Sequence, residues 1–361
     1  MTGPLHGLTI IEMAGLGPGP FAGMMLADHG ATVIRVERAG MIGIPSDPLL
    51  RSRRSIALDL KREECREVVR RLAVRADGLI EGYRPGVMER LGLGPDGLIE
   101  ANPKLVYGRV TGWGQQGPLA KEAGHDINYL ALTGLLHGIG AKDRPPVPPL
   151  NLVGDYAGGG MMLAFAMVAA LLAVARGGTG QVIDASMSDG AALTGALIYG
   201  LRGAGMWSDE RGSNLLDGGE ALYGCYECAD GKFLALGAIE PQFRKALLER
   251  LKLSKEPSRE EVTAVTAMRS RDEWVEIFEG SDSCVAPVLT MGEAPLHPHN
   301  VARSTFIDLG GVIQPGPAPH YSATRTDAPT APRQEGADGA SILGELGYGE
   351  AEIEDLLGAK I

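Results

Sequence analysis

Short apolar runs alternate with amphipathic stretches through the first half of the chain. Leu8–Met13, Ala31–Val36, Gly78–Glu81 and Leu105–Val110 are largely apolar and bounded by glycine or charge, and Ser55–Leu58 fits a further short run. Such runs read as buried strands. Between them Phe21–His29, Arg62–Val74 and Val87–Leu91 carry helical spacing. The resulting β-α-β-α order predicts an α/β fold, a doubly wound parallel sheet with helices on both faces and right-handed crossovers. Asp126–Leu136 continues the pattern as a helix, Pro145–Pro149 breaks it, Gln181–Asp184 forms a strand and Asp189–Trp207 another helix rich in small residues.

The character changes after that. Asp209–Glu220 is polar, and Leu222–Glu227 and Lys232–Leu236 flank Ala229-Asp230-Gly231, an Asp-Gly hairpin signal. Gln242–Leu251, Arg259–Met268 and Arg271–Glu279 are helical and more charged. A smaller α+β domain over 215–310 is expected, with linkers at 191–214 and 311–329. Ile342–Leu346 and Glu350–Leu357 read as short helices returning to the first domain, so the large domain takes 1–190 and 330–361.

At roughly 150 residues per domain, 361 residues agree with two domains. Hydrophobic residues at 44% and charged residues at 22% suit a soluble globular chain. One stretch tests that reading: Tyr156–Val174 has no charged residue and is long enough to span a bilayer. Asp155 and Arg176 flank it, no second span exists and glycine and alanine abound, which favours a core helix and no membrane partner. Met1–Leu8 shows no secretory signal. The net charge of −11 argues against a nucleic-acid partner. Four scattered cysteines, Cys65, Cys225, Cys228 and Cys284, suit a reducing compartment. The lone Cys225-x-x-Cys228 lacks a second ligand pair, so it reads as two half-buried strand cysteines and no metal is expected.

Gly15–Ala22 follows a strand, opens a helix and precedes Glu37 by about the interval of a dinucleotide fingerprint. Pro18 and Pro20 remove the backbone donors a pyrophosphate needs, so this turn reads as structural, or as part of another nucleotide-like site, rather than as a nicotinamide or flavin site. Three other segments carry candidate chemistry. Gly124-His125-Asp126 opens a helix, where free amides favour an anion. Asn151-Leu-Val-Gly154-Asp155 leads into the apolar helix, where an aspartate is otherwise simply an N-cap. Glu240, before Pro241, sits on a loop between strand and helix, where a first-turn glutamate is the plainer explanation. Spacing alone licenses only a general acid/base site.

Taken together, Gly15–Ala22, Glu81-Gly-Tyr-Arg-Pro-Gly-Val-Met-Glu-Arg-Leu-Gly92, Gly124–Tyr129 and Asn151–Asp155 resemble the family III CoA-transferase superfamily over nearly the whole chain. The stretch from Asp217 through Tyr226–Gly231 to Gly237–Phe243 is similar to its racemase branch. The resemblance implies an interlocked homodimer whose active sites lie between the large domain of one chain and the small domain of its partner. It implies acid/base roles for His125 and Asp155, with Glu240 of the partner chain orienting or polarising His125, and places against the substrate for Gly124, Asp126, Tyr129 and Asn151. It places Arg38, Leu58, Lys61, Gly82, Tyr83, Arg84 and Arg90 around the CoA moiety. CoA is polyanionic, so an acidic protein needs such a local basic site, and Arg51, Arg53 and Arg54 equally suggest phosphate steering.

The implied reaction interconverts the 2R and 2S epimers of a 2-methylacyl-CoA by proton removal and return at carbon 2, with no cofactor beyond the CoA of the substrate. Backbone N–H groups around Asp126 would stabilise the enolate oxygen. Met161, Met162, Met187 and Met206 either line an adaptable acyl surface or fill the core. Two alternatives stand beside this one: a CoA transferase with Asp155 as nucleophile forming acyl anhydrides, and a non-catalytic CoA-ester binder. The expected location is cytoplasmic; the terminal Ala359-Lys360-Ile361 departs from the S-K-L peroxisomal address, leaving a peroxisomal site open in a eukaryote.

Overall fold

The structure, a computed structural model, describes residues 2–38, 44 and 46–358. The terminal Ala359-Lys360-Ile361 lies outside them. The chain forms two compact units, one of Met1–Thr133, Leu150–Gly195 and Thr305–Ile361, the other of Gly134–Pro149 and Ala196–Ser304.

In the first unit β1 (Thr9–Met13), β2 (Thr32–Glu37), β3 (Arg53–Ala57), β4 (Gly78–Glu81), β5 (Val106–Thr111) and β6 (Val182–Ser186) form one sheet. All neighbouring pairs are parallel, in the order β3-β2-β1-β4-β5-β6. Strand order runs outward in both directions from the β1/β4 junction. That leaves a crevice beyond the carboxyl ends of these two strands, the usual ligand position of an open α/β sheet. The unit's helices are α1 (Pro18–Asp28), α2 (Glu63–Arg75), α3 (Val87–Arg90), α4 (Pro95–Ala101), α5 (Asp126–Ala131), α6 (Met162–Ala175) and α7 (Met187–Thr194). A wide π-helical segment, Leu152–Met161, runs directly into α6.

Strand residues alternate between two cores, as the period of two requires. Ile11, Ile34, Leu79 and Tyr107 pack with Cys65, Val68 and Leu72 of α2. Ile342, Leu343 and Leu356 join that same core, so the C-terminal helices Gly339–Glu345 and Glu350–Gly358 do return to the large unit. Their sequence neighbours Ile10, Val33, Ile80 and Val106 face the other way, onto Leu26 of α1 and Leu163 and Met167 of α6. Met187 belongs to this second core, whereas Met161 and Met206 are exposed.

The longer segment of the second unit, Ala196–Ser304, begins with α8 (Ala196–Gly203). Its sheet is antiparallel, β7 (Tyr223–Glu227), β8 (Phe233–Gly237) and β9 (Val285–Val288) in that order. It packs with α9 (Pro241–Leu251), α10 (Arg259–Thr266) and α11 (Arg271–Phe278) around Tyr226, Leu234, Leu247, Val262 and Trp274. Ser258 and Ser270 open the last two helices through reciprocal bonds with Glu261 and Glu273. All four cysteines are free thiols; Cys228 is buried and Cys225 exposed.

Several expectations change. The helix over 189–207 is two helices, α7 and α8, separated at Gly195, whose N–H closes the end of α7 on Ala192. The helix from Asp126 stops at Ala131, because Gly134 turns the chain with φ +76°. The strand Val285–Val288 was hidden by Pro287, which an edge strand tolerates. The apolar segment Leu152–Ala175 has the length and composition of a membrane span but is buried on one side only. Leu163, Ala164, Met167 and Leu171 face the sheet, while Met161, Phe165, Val168 and Leu172 form an exposed stripe, Phe165 at 72%.

The arginine cluster is also not a phosphate clamp. Arg51 is 2% exposed and paired with Asp28. Arg53 points inward from β3 to Glu12 (3.0 Å) and to the carbonyls of Arg51 (2.8 Å) and Pro20 (2.6 Å). Arg54 pairs with Glu345 at 2.6 Å. Arg51 and Arg53 are buried guanidinium groups that demand these partners, while Arg54 is half-buried and held by Glu345.

Candidate active site

Two helix beginnings meet near the carboxyl ends of the large sheet. His125 is the N-cap of α5, in extended backbone, and its N–H donates to Asn128 Oδ1 at 3.0 Å. The imidazole belongs to an exposed residue. Asp126 begins the helix and is buried, and its Oδ1 accepts the backbone N–H of Asp155 at 2.7 Å. That bond ties α5 to the π-helical segment. Gly154 makes it possible: a Cβ there would lie 2.6 Å from Asp126 Oδ1.

Asp155 is half-buried, and its Oδ2 accepts from Asn151 Nδ2 at 3.2 Å. The turn before α1 closes its other side, with the Cβ position of Gly17 only 3.4 Å from Asp155 Oδ2. Burial pushes the Asp155 carboxyl above the ordinary carboxylate range. The Asn151 bond opposes this, the Asp126 charge reinforces it, and His125 pulls back.

Tyr129, one turn into α5, is buried, and its hydroxyl donates to the Gly124 carbonyl. Its ring meets Trp113 edge-on at 4.8 Å. Burial raises the Tyr129 phenol; the Asp155 and Asp126 charges add to this and Arg84 opposes it. Gly124 to Tyr129, Asn151, Asp155 and Arg84 are thus one constellation, with Tyr129 holding the loop that carries His125.

The positions expected around CoA sit at neighbouring strand ends. Arg38 follows β2 and is exposed. Leu58 follows β3, but its side chain is 1% exposed and in the core, leaving its backbone as the part a ligand can reach. Lys61 is exposed, its N–H donating to Asp59 Oδ1 at 3.0 Å. Gly82 and Arg84 follow β4 and are exposed, as is Arg90 at the end of α3. Tyr83 packs against the core, its N–H donating to Glu81 Oε2 at 2.7 Å. Glu240 belongs to the second unit, exposed at the N-cap of α9.

Sequence reasoning passed over a cavity of about 420 Å³ at the ends of β1 to β3, lined by Leu16, Gly17, Arg35, Glu37, Ser55 and Arg333 among others. Behind it Glu12, 0% exposed, holds both Arg35 and Arg53, and Arg35 also reaches Glu37 at 3.1 Å. The signal was present: Glu12 and Arg35 each interrupt an apolar strand, and Arg53 opens the next one. Among the described residues no group of three or more His, Cys, Asp or Glu side chains could hold a metal ion.

The chain is 46% identical to the α-methylacyl-CoA racemase of Mus musculus, over 98% of this chain and 96% of that one. It is 42% identical to the Homo sapiens racemase, over 99% and 97%. The succinyl-CoA:glutarate CoA-transferase of Homo sapiens is 30% identical over 99% and 90%. Among solved structures, a CaiB/BaiF family protein from Brucella suis superposes with a TM-score of 0.83 at 28% identity, covering 96% of this chain and all of that one. The family model of CoA-transferase family III matches residues 5–338. With that match spanning residues of both units, the chain belongs to CoA-transferase family III.

Proposed function

We propose that the protein is a racemase that interconverts the 2R and 2S epimers of 2-methylacyl-CoA thioesters. The observation that carries this reading is the bond from the Asp155 amide to the buried Asp126 carboxylate, which joins the helix start at His125 to the segment bearing the half-buried Asp155 carboxyl. Near-full-length likeness to two α-methylacyl-CoA racemases supports it. The carbon-2 proton is weakly acidic because its conjugate base spreads charge onto the thioester oxygen. One of the two groups removes that proton. The electron pair moves into the enolate, and the other group returns a proton to the opposite face. The N–H groups of Asp126 and Ile127 face the developing oxyanion, each such donor contributing about 3–4 kcal/mol. Electrons stay on the substrate throughout, so the chemistry calls for no redox cofactor.

The CoA moiety is assigned to the strand-end row of Arg38, Leu58, Lys61, Gly82, Tyr83, Arg84 and Arg90. Three considerations support it: the row flanks the switch point of the sheet, it exposes four cations, and the ligand is polyanionic. We place Glu240 of a second chain beside His125 in a homodimer. The exposed stripe Met161, Phe165, Val168 and Leu172 is an apolar face that association would cover.

The test is deuterium uptake at carbon 2 of a 2-methylacyl-CoA in heavy water. Exchange by the native protein is expected, with its loss in His125→Ala and Asp155→Ala while CoA-ester binding persists. No exchange by the native protein refutes the reading. Transfer of CoA between esters and free acids instead establishes Asp155 as a nucleophile.

A further inference from the structure

The reading above leaves one buried carboxylate without a task. Asp126 supplies a backbone amide to the site, yet its side chain is 6% exposed. Its Oδ1 holds the Asp155 N–H, and its Oδ2 is buried with no hydrogen-bond partner among the described residues. A buried carboxylate ordinarily gathers several donors or an adjacent cation. Within this unit the buried carboxylates Glu12, Asp28 and Glu81 each face an arginine. Asp126 has no such ion pair among the described residues, and its carboxylate lies against the Asp155 backbone. Gly154 preserves the contact, since any side chain there would drive into the carboxylate.

We propose that Asp126 is a positioning residue whose carboxylate both fixes the backbone of Asp155 and keeps a negative charge beside the His125–Asp155 pair, so that the pair holds one proton at neutral pH. This rests on the racemase reading and deepens it. A two-base site works only while the pair as a whole carries a single proton: with two there is no base, with none there is no acid. The two protons leave in macroscopic steps that belong to the pair. A fixed negative charge raises both steps, whichever residue holds the proton. The other titratable groups around Asp155 are His125 on the same helix start and Tyr129 one turn later, with Arg84 acting on Tyr129 from the loop after β4. Asn151, from its own segment, is neutral. Within one chain Asp126 is thus the carboxylate that opposes the cation Arg84 among the described groups acting on this cluster, and Glu240 of a second chain, placed beside His125 above, would add to its negative charge.

The experiment is the pH dependence of kcat/KM for deuterium exchange into a 2-methylacyl-CoA, for the native protein, Asp126→Asn and Asp126→Ser. Asparagine keeps an oxygen for the Asp155 amide and removes the charge; serine also removes the charge, with a shorter side chain. The expected result is a bell-shaped profile that moves bodily to lower pH, by about one unit, in whichever variant folds. A reduced rate with both limbs unmoved overturns the proposal and leaves Asp126 a purely structural tether. So does a profile that narrows without displacement. Absence of exchange by the native protein at every pH refutes the racemase reading itself, an outcome distinct from either.

Discussion

Gly154→Ala isolates the contact on which the site is built. The Gly154 backbone lies outside the left-handed region, so alanine suffers no φ penalty and the cost is entirely one of space. The added Cβ falls 2.6 Å from Asp126 Oδ1 and 3.0 Å from both Asp126 Cγ and the Asp126 carbonyl oxygen. Carbon and oxygen normally keep about 3.3–3.6 Å. The carboxylate can rotate away but the carbonyl cannot, because it is part of the first turn of α5. Rotation breaks the 2.7 Å bond to the Asp155 amide, and a hydrogen bond to a charged group is worth about 1.5–3 kcal/mol. Overpacking adds about 1–3 kcal/mol. The sum, about 2.5–6 kcal/mol, lowers Tm by several degrees. A displacement of Asp155 of about 1 Å costs roughly 100-fold in exchange rate.

The assay pairs thermal unfolding with deuterium uptake, using Gly200→Ala as the control. Gly200 lies within α8, where a Cβ meets nothing within 4 Å, so alanine there stabilises by about 0.5–1 kcal/mol. If Gly154→Ala retains the native Tm and exchange rate, the Asp126–Asp155 tether is not what organises the site.

Arg53→Met leaves the fully buried Glu12 with Arg35 alone and should cost about 3–5 kcal/mol by denaturant unfolding, with CoA-ester affinity of the folded protein unchanged. An unaltered stability with weakened affinity would restore Arg53 to phosphate binding. Asp155→Asn should abolish exchange yet stabilise the fold at neutral pH. The folded Asp155 holds its proton above the ordinary value of 3.8, so folding binds protons, and native stability declines as pH rises from there through the raised value. The Tm advantage of the asparagine variant should therefore grow across that window and vanish below it; an advantage independent of pH contradicts the raised carboxyl. Phe165→Asp combined with Leu172→Asp should shift sedimentation toward the 37.9 kDa of one chain, and a native protein that already sediments at that mass refutes the dimer.

The strands, their parallel order and the chemistry-bearing segments were legible in the sequence. Ile10 and Ile11, or Val33 and Ile34, are apolar on both sides of the pleat, and only a sheet covered on both faces needs that. The motifs carrying His125 and Asp155 were equally plain, because glycines and a helix start announce them. Local pattern could not say which way a charge points. Arg51, Arg53 and Arg54 look alike in the sequence; the strand pleat sends Arg53 to Glu12 and leaves Arg54 to meet Glu345 at the rim. Nor could it say that α6 has a second, uncovered face, since a helix apolar all round has the same composition whether buried wholly or in part. The meeting of Asp126 with the Asp155 amide joins residues 29 positions apart. It exists because Gly154 lets two backbones approach, and such a close contact is a property of the packed chain that no run of neighbouring residues encodes.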